Sequence, residues 1–118
     1  MDAGESIDGK RLVVAEQPGL SPDALRQLGM QVRDRMGTGI AILGSTREGK
    51  AGLVVVVTKD LVAAGADAAE IAGPAARLVG GGSSRDPELA QAGGPQGDRL
   101  GDSLEEAARL ARESLGRM

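Results

Sequence analysis

Apolar residues fall along this chain alternately in extended runs and in helically spaced stripes. Leu12, Val13, Val14 and Ala15 crowd the stretch Arg11–Gln17, which stops at Pro18-Gly19, a pair that cannot continue a strand. This predicts a first strand. Ser21-Pro22-Asp23 then combines a capping hydroxyl, a proline at the first helical position and an anion at the positive end of a helix. Leu25, Leu28, Val32 and Met36 recur at helical spacing behind it, Arg26, Arg33, Asp34 and Arg35 lie largely off that stripe, and Gly37 is the expected stop. Gly39–Thr46 and Ala51–Thr58 are rich in β-branched residues and flank the polar turn Arg47-Glu48-Gly49-Lys50, so they predict an antiparallel hairpin. The uninterrupted valines of its second arm suit a central strand covered on both faces.

Beyond Lys59 an Ala-rich helical turn is expected before Gly65, and a helix over Asp67–Val79 that kinks or begins anew at Gly73-Pro74. Gly80–Glu88 reads as a loop, Leu89–Gly94 as a short strand and Pro95–Gly101 as a connection. A last helix covers Asp102–Leu115, with Ser103 and Glu106 at capping-box spacing. Glu105, Glu106, Arg109, Arg112 and Glu113 suit surface pairing along it. The order β-α-β-β-α-β-α predicts an α/β fold, a mixed sheet of about four strands with helices packed on it. Residues 1–9 show no apolar periodicity and are expected to be a flexible lead-in to a single globular domain at 10–118.

Composition narrows the chemistry. The 118 residues include no Phe, Tyr or Trp, so the core must be aliphatic and no aromatic ring is available for stacking bases. Zero Cys and zero His remove thiol nucleophiles, the Ser-His-Asp triad and His-Cys metal sites. A net charge of −3 argues against strong non-specific binding of nucleic acid, so any such contact must be local. Up to Lys59 eight basic residues face seven acidic ones, and from Asp60 onward six face ten, which favours the first half as the side facing phosphate. No apolar run approaches the ~20 residues of a membrane span. A soluble, unexported, cytoplasmic protein is expected.

Two constellations stand out. Gly80-Gly81-Gly82 followed by Arg85 could bring backbone N–H groups and a guanidinium to a phosphate, or could simply be a helix cap and loop that bind nothing. Arg47, Lys50 and Lys59, grouped around the hairpin and the end of its second strand, could contact phosphates or be solvated turn residues. Arg26, Arg33 and Arg35 form a possible basic strip on the first helix, equally an ordinary solvated face.

The run Gly80-Gly81-Gly82, Arg85 near Pro87, Ala90-Gln91-Ala92-Gly93-Gly94 and the final amphipathic helix resembles the C-terminal DHH-associated domain of bacterial alanyl-tRNA synthetases. The Glu48-Gly49-Lys50 turn, the Val-rich strand and Thr58-Lys59-Asp60 are similar to the same domain in the same order, so the resemblance covers about Arg11–Leu115. In the family's loop more glycines and often a lysine stand where this chain has Gly82, Ser83 and Ser84, and here Asp86 follows Arg85. The resemblance implies a non-catalytic domain that helps hold alanine tRNA near its elbow and couples aminoacylation with editing. Its partners would be tRNA, the rest of the synthetase in cis and a weak second copy. Gln91, Gly93 and Gly94 then join Arg47, Lys50, Lys59, Gly80, Gly81, Gly82 and Arg85 as expected tRNA-binding residues. No cofactor is expected in this domain; ATP, Mg and Zn would belong to the parent enzyme's other domains. The alternatives are the substrate-binding domain of a DHH-family phosphoesterase and a free-standing interaction or dimerisation module.

Overall fold

A computed structural model describes residues 4–7 and 9–117. Its elements are β1 (Gly4–Ile7), β2 (Lys10–Glu16), α1 (Pro22–Met36), β3 (Gly39–Arg47), β4 (Lys50–Val57), α2 (Lys59–Ala63), α3 (Ala68–Leu78), β5 (Gly82–Ser83), β6 (Leu89–Gly94) and α4 (Leu100–Gly116). The strands form one sheet in the order β1-β2-β3-β4-β6-β5. Only β2 and β3 run parallel among these neighbours, and α1 makes the crossover that a parallel pair requires.

The valine run explains itself once both faces are seen. Val54 and Val56 point to α1, joining Leu25, Met36, Ala41 and Leu43. Leu53, Val55 and Val57 point the other way, toward Ile71, Ala72 and Ala75 of α3 and Leu104, Ala107 and Ala111 of α4. All five strand residues are buried, so alternation in polarity is absent where alternation in direction is complete. The fold is therefore α/β as expected, with one helix on one face of the sheet and three on the other.

Several local expectations change. The sheet has six strands rather than about four. Of the lead-in expected at residues 1–9, positions 1–3 and 8 lie outside the described residues, whereas Gly4–Ile7 pair antiparallel with Lys10–Val13 as an edge strand. An edge strand needs little apolar patterning, and only Ile7 packs on the core. The glycine stretch supplies the sixth strand, β5, two residues long. Helix α3 runs unbroken through Pro74, because Ala68, Ile71, Ala72, Ala75 and Ala76 are buried along it and packing outweighs one lost N–H bond. Helix α4 begins at Leu100, led in by a 3-10 turn at Gly97–Arg99. The expected capping box does not form. Ser103 is already inside the helix, and its Oγ donates to the Ala75 carbonyl of α3 at 2.6 Å in the buried interface. Farther along α4 the surface pairing does occur, with Arg109 bridging Glu106 and Glu113 and Arg112 reaching Glu5 of β1.

Candidate functional site

The β3–β4 hairpin closes through two residues, Glu48 at φ 53° and Gly49 at φ 77°. Positive φ at both central positions matches the right-handed twist of the strands they join. The tight turn places Arg47 and Lys50 directly opposite each other in the ladder. Both are exposed, and neither makes an ion pair among the described residues. Opposed like charges destabilise a strand pair, so the hairpin carries a small cost that an anion at this spot would relieve.

Behind this pair the sheet is nearly bare. Ser45 of β3 lies opposite Gly52 of β4, Gly52 opposite Gly93 of β6, and Gly93 opposite Gly82 of β5. The chain leading into α1 forms a wall above that row. Ser45 Oγ accepts the Leu20 N–H at 2.9 Å, and Gln91 Nε2 donates to the Pro22 carbonyl at 2.9 Å, so both ends of the wall are tied to the sheet. Between wall and sheet runs a groove of about 720 Å³. Leu20, Pro22 and Leu25 line one side, Gly52 and Gly93 the floor, and Arg47, Glu48 and Lys50 the mouth.

Six of the ten expected site residues line this groove: Arg47, Lys50, Gly82, Gln91, Gly93 and Gly94. The other four do not. Lys59 starts α2 at the opposite end of β4, roughly 25–30 Å from Lys50 at strand rise. The expected grouping of Arg47, Lys50 and Lys59 is thereby corrected: a strand that returns from its turn carries its far end away from it. Arg85 lines a separate cleft of about 470 Å³ with Arg77, Asp67 and Glu70, on the α3 side of β5.

Gly80 and Gly81 take up a structural task. The Gly81 N–H donates to Ala76 O at 3.0 Å and the Gly80 N–H to Arg77 O at 3.1 Å, the paired bonds of a helix C-terminal cap with Gly80 at φ 81°. Their amides are committed to α3 and do not form an open phosphate nest. Gly81 also lies against the Gly93 carbonyl, and Gly94 against the Val79 carbonyl, so closely that a Cβ at either position would overlap backbone. Farther along, Asp86 Oδ1 accepts from the Glu88 and Leu89 N–H groups at 2.8 and 3.3 Å. Ser84 N–H donates to Gln91 O at 2.8 Å. Within the expected loop Gly80–Glu88, the Gly80, Gly81, Ser84 and Glu88 N–H groups are thus bonded inside the protein.

Leu20, Pro22, Ser45 and Gly52 also shape the groove, and none of them is among the ten site residues expected from the sequence. Gly52 carried a signal, a glycine within a run otherwise made of valine and leucine. No group of three or more His, Cys, Asp or Glu residues capable of holding a metal occurs among the described residues. No helix among them is long and apolar enough to cross a membrane.

No family model matches the chain. It is 37% identical over 109 residues to the alanine–tRNA ligase of Acetivibrio thermocellus, a match covering 92% of this chain and 12% of that protein. To the alanine–tRNA ligase of Chloroflexus aurantiacus it is 38% identical over 112 residues, covering 95% of this chain and 12% of that one. The chain thus spans about 12% of the length of the curated relatives it matches. Among solved structures, the C-Ala domain of Aquifex aeolicus alanyl-tRNA synthetase superposes with a TM-score of 0.77 at 25% identity, covering 96% of this chain and 97% of that one.

Proposed function

Because the chain belongs to the alanyl-tRNA synthetase family, matching its C-terminal C-Ala domain in sequence and fold, we propose that it is a non-catalytic accessory domain that helps hold alanine tRNA. The tRNA elbow is the expected contact and the rest of the synthetase, in cis, the expected partner. In that role the domain keeps tRNA engaged while aminoacylation and editing take place elsewhere in the enzyme. The observation that carries the proposal is the groove mouthed by Arg47 and Lys50, two exposed cations that make no ion pair among the described residues and stand opposite each other beside a two-residue turn. In a chain of net charge −3, that is a local site for phosphate and a poor one for indiscriminate binding. Lacking His and Cys, the domain contributes position rather than chemistry.

Titration of labelled tRNA tests this. Affinity on the order of 10 μM or weaker is expected near physiological salt, with a salt slope of about two contacts. Folded tRNA should bind more tightly than an unstructured strand of equal length, since it presents its phosphates and sugars as a fixed surface and the chain has no aromatic rings on which a flexible strand could stack successive bases. Arg47→Ala with Lys50→Ala should abolish most binding, while Lys59→Ala should leave it unchanged. Equal affinity for both RNAs, or a double variant that binds as well as the parent, would overturn the proposal.

A further inference from the structure

We infer that the groove behind Arg47 and Lys50 receives one unstacked nucleotide of the bound RNA, its base laid into the groove and its phosphates held at the mouth. This rests on the RNA-binding reading above and adds what part of the RNA enters. The division of chemistry along the groove carries it. Its interior is apolar, with Leu20, Pro22 and Leu25 on one side, and its cations stand two ladder positions outside the Ser45–Gly52 pair, at the rim. A phosphate taken into the interior would lose water without meeting a charge, whereas a base can leave water there and its phosphates can meet Arg47 and Lys50.

The floor suits the face of a base. Gly52, Gly93 and Gly82 span two strand spacings, roughly 10 Å of side-chain-free backbone. That is room for one base and its sugar. A chain with no aromatic residue offers bare peptide planes where other RNA-binding sheets offer rings. Two of these glycines are not demanded by the fold. Neither Gly52 nor Gly82 has a positive φ, a Cβ on Gly82 would meet nothing within 4 Å, and one on Gly52 would come no closer than 3.6 Å, to Leu25 Cδ2. A glycine inside a strand weakens it, and one that packing does not require marks a close approach from outside. Gln91, two ladder positions farther in, has its Nε2 held by Pro22 O, which orients its carbonyl oxygen as an acceptor for a base edge.

The experiment compares two RNA hairpins that differ only by one bulged, unpaired nucleotide, titrated against the parent chain and three variants by fluorescence anisotropy. The parent should prefer the bulged hairpin about fivefold or more, the low end of what one stacked base contributes. Gly82→Leu and Gly52→Ala fill the floor where space exists; they should shrink that preference toward one while circular dichroism shows an unchanged fold. Arg47→Ala with Lys50→Ala should weaken both hairpins severalfold or more, since each presents phosphates to the mouth. Equal binding of the two hairpins by the parent, or a preference that survives both floor substitutions, would overturn the inference while leaving the RNA-binding reading standing. Failure of the parent to bind either hairpin or tRNA would remove both.

Discussion

Gly81 and Gly82 are neighbours in sequence, yet alanine should act on them in opposite directions. At Gly81 a Cβ would overlap the carbonyl of Gly93 and lie 2.8 Å from Gly94 Cα, so the collision is with backbone that cannot rotate away. Relief requires parting the two crossing segments, which also threatens the Gly81 N–H bond to Ala76 O. Overpacking of this kind costs about 1–3 kcal/mol or more, and the lost cap bond adds about 1 kcal/mol. A loss of about 2–4 kcal/mol is expected against a total stability of roughly 6–18 kcal/mol for a chain of this length. At Gly82 the added methyl meets nothing within 4 Å and φ is not positive. There alanine should stabilise by about 0.4–1 kcal/mol, by restricting the unfolded chain. Urea unfolding followed by far-ultraviolet circular dichroism reads both, since the chain has no Trp or Tyr to report by fluorescence. With a slope near 2 kcal/mol per molar, Gly81→Ala should lower the midpoint by about 1–2 M, and Gly82→Ala should raise it by a few tenths. Two midpoints that agree within error, or a larger loss at Gly82, would refute the assignment of Gly81 to the fold and Gly82 to the groove.

Glu48→Asn should stabilise the hairpin by about 0.5–1 kcal/mol, because asparagine accepts the positive φ of 53° more readily, and should tighten tRNA binding by removing an anion beside Arg47 and Lys50; thermal unfolding and tRNA titration check the two halves. Ser103→Ala should cost about 1 kcal/mol in urea unfolding, since it leaves the buried Ala75 carbonyl without its 2.6 Å donor. Glu5, Asp60 and Glu106 have carboxyl pKa values lowered by hydrogen bonds from Arg112, Thr38 and Arg109 respectively. Each depressed group stabilises the fold fully above the ordinary carboxylate range, and that contribution is lost as pH falls through the lowered folded values, so the urea midpoint should drop between pH 7 and pH 3, and a flat profile would contradict it. The Glu5→Gln variant should lose part of that drop, because the acid-sensitive tie of β1 to Arg112 is then absent.

Much of the fold was legible because local physics decides it. The hydroxyl of Ser21 caps α1, Pro22 starts it, and the Ile and Val runs on either side of Glu48-Gly49 form the hairpin. Such signals depend on a few adjacent residues and survive any tertiary arrangement. Strands β1 and β5 were not legible, since Gly4–Ile7 and Gly82–Ser83 are strands only because a neighbour offers them a ladder. Pro74 and Ser103 depart from their local signals for the same reason: the buried face of α3 holds the helix through its proline, and a carbonyl on that helix recruits the serine expected to cap another. At the candidate site the sequence supplied the residue types and part of the grouping. Arg47 and Lys50 sit beside a turn that any reader can find, but Gly52, Gly93 and Gly82 become one floor only through the register of three strands, two of them far from the third in the chain. Nor can sequence distinguish the glycine that closes a helix from the one that clears a groove. Gly81 and Gly82 are chemically identical; what differs is whether another backbone occupies the space where a Cβ would be, and only the tertiary structure places that backbone.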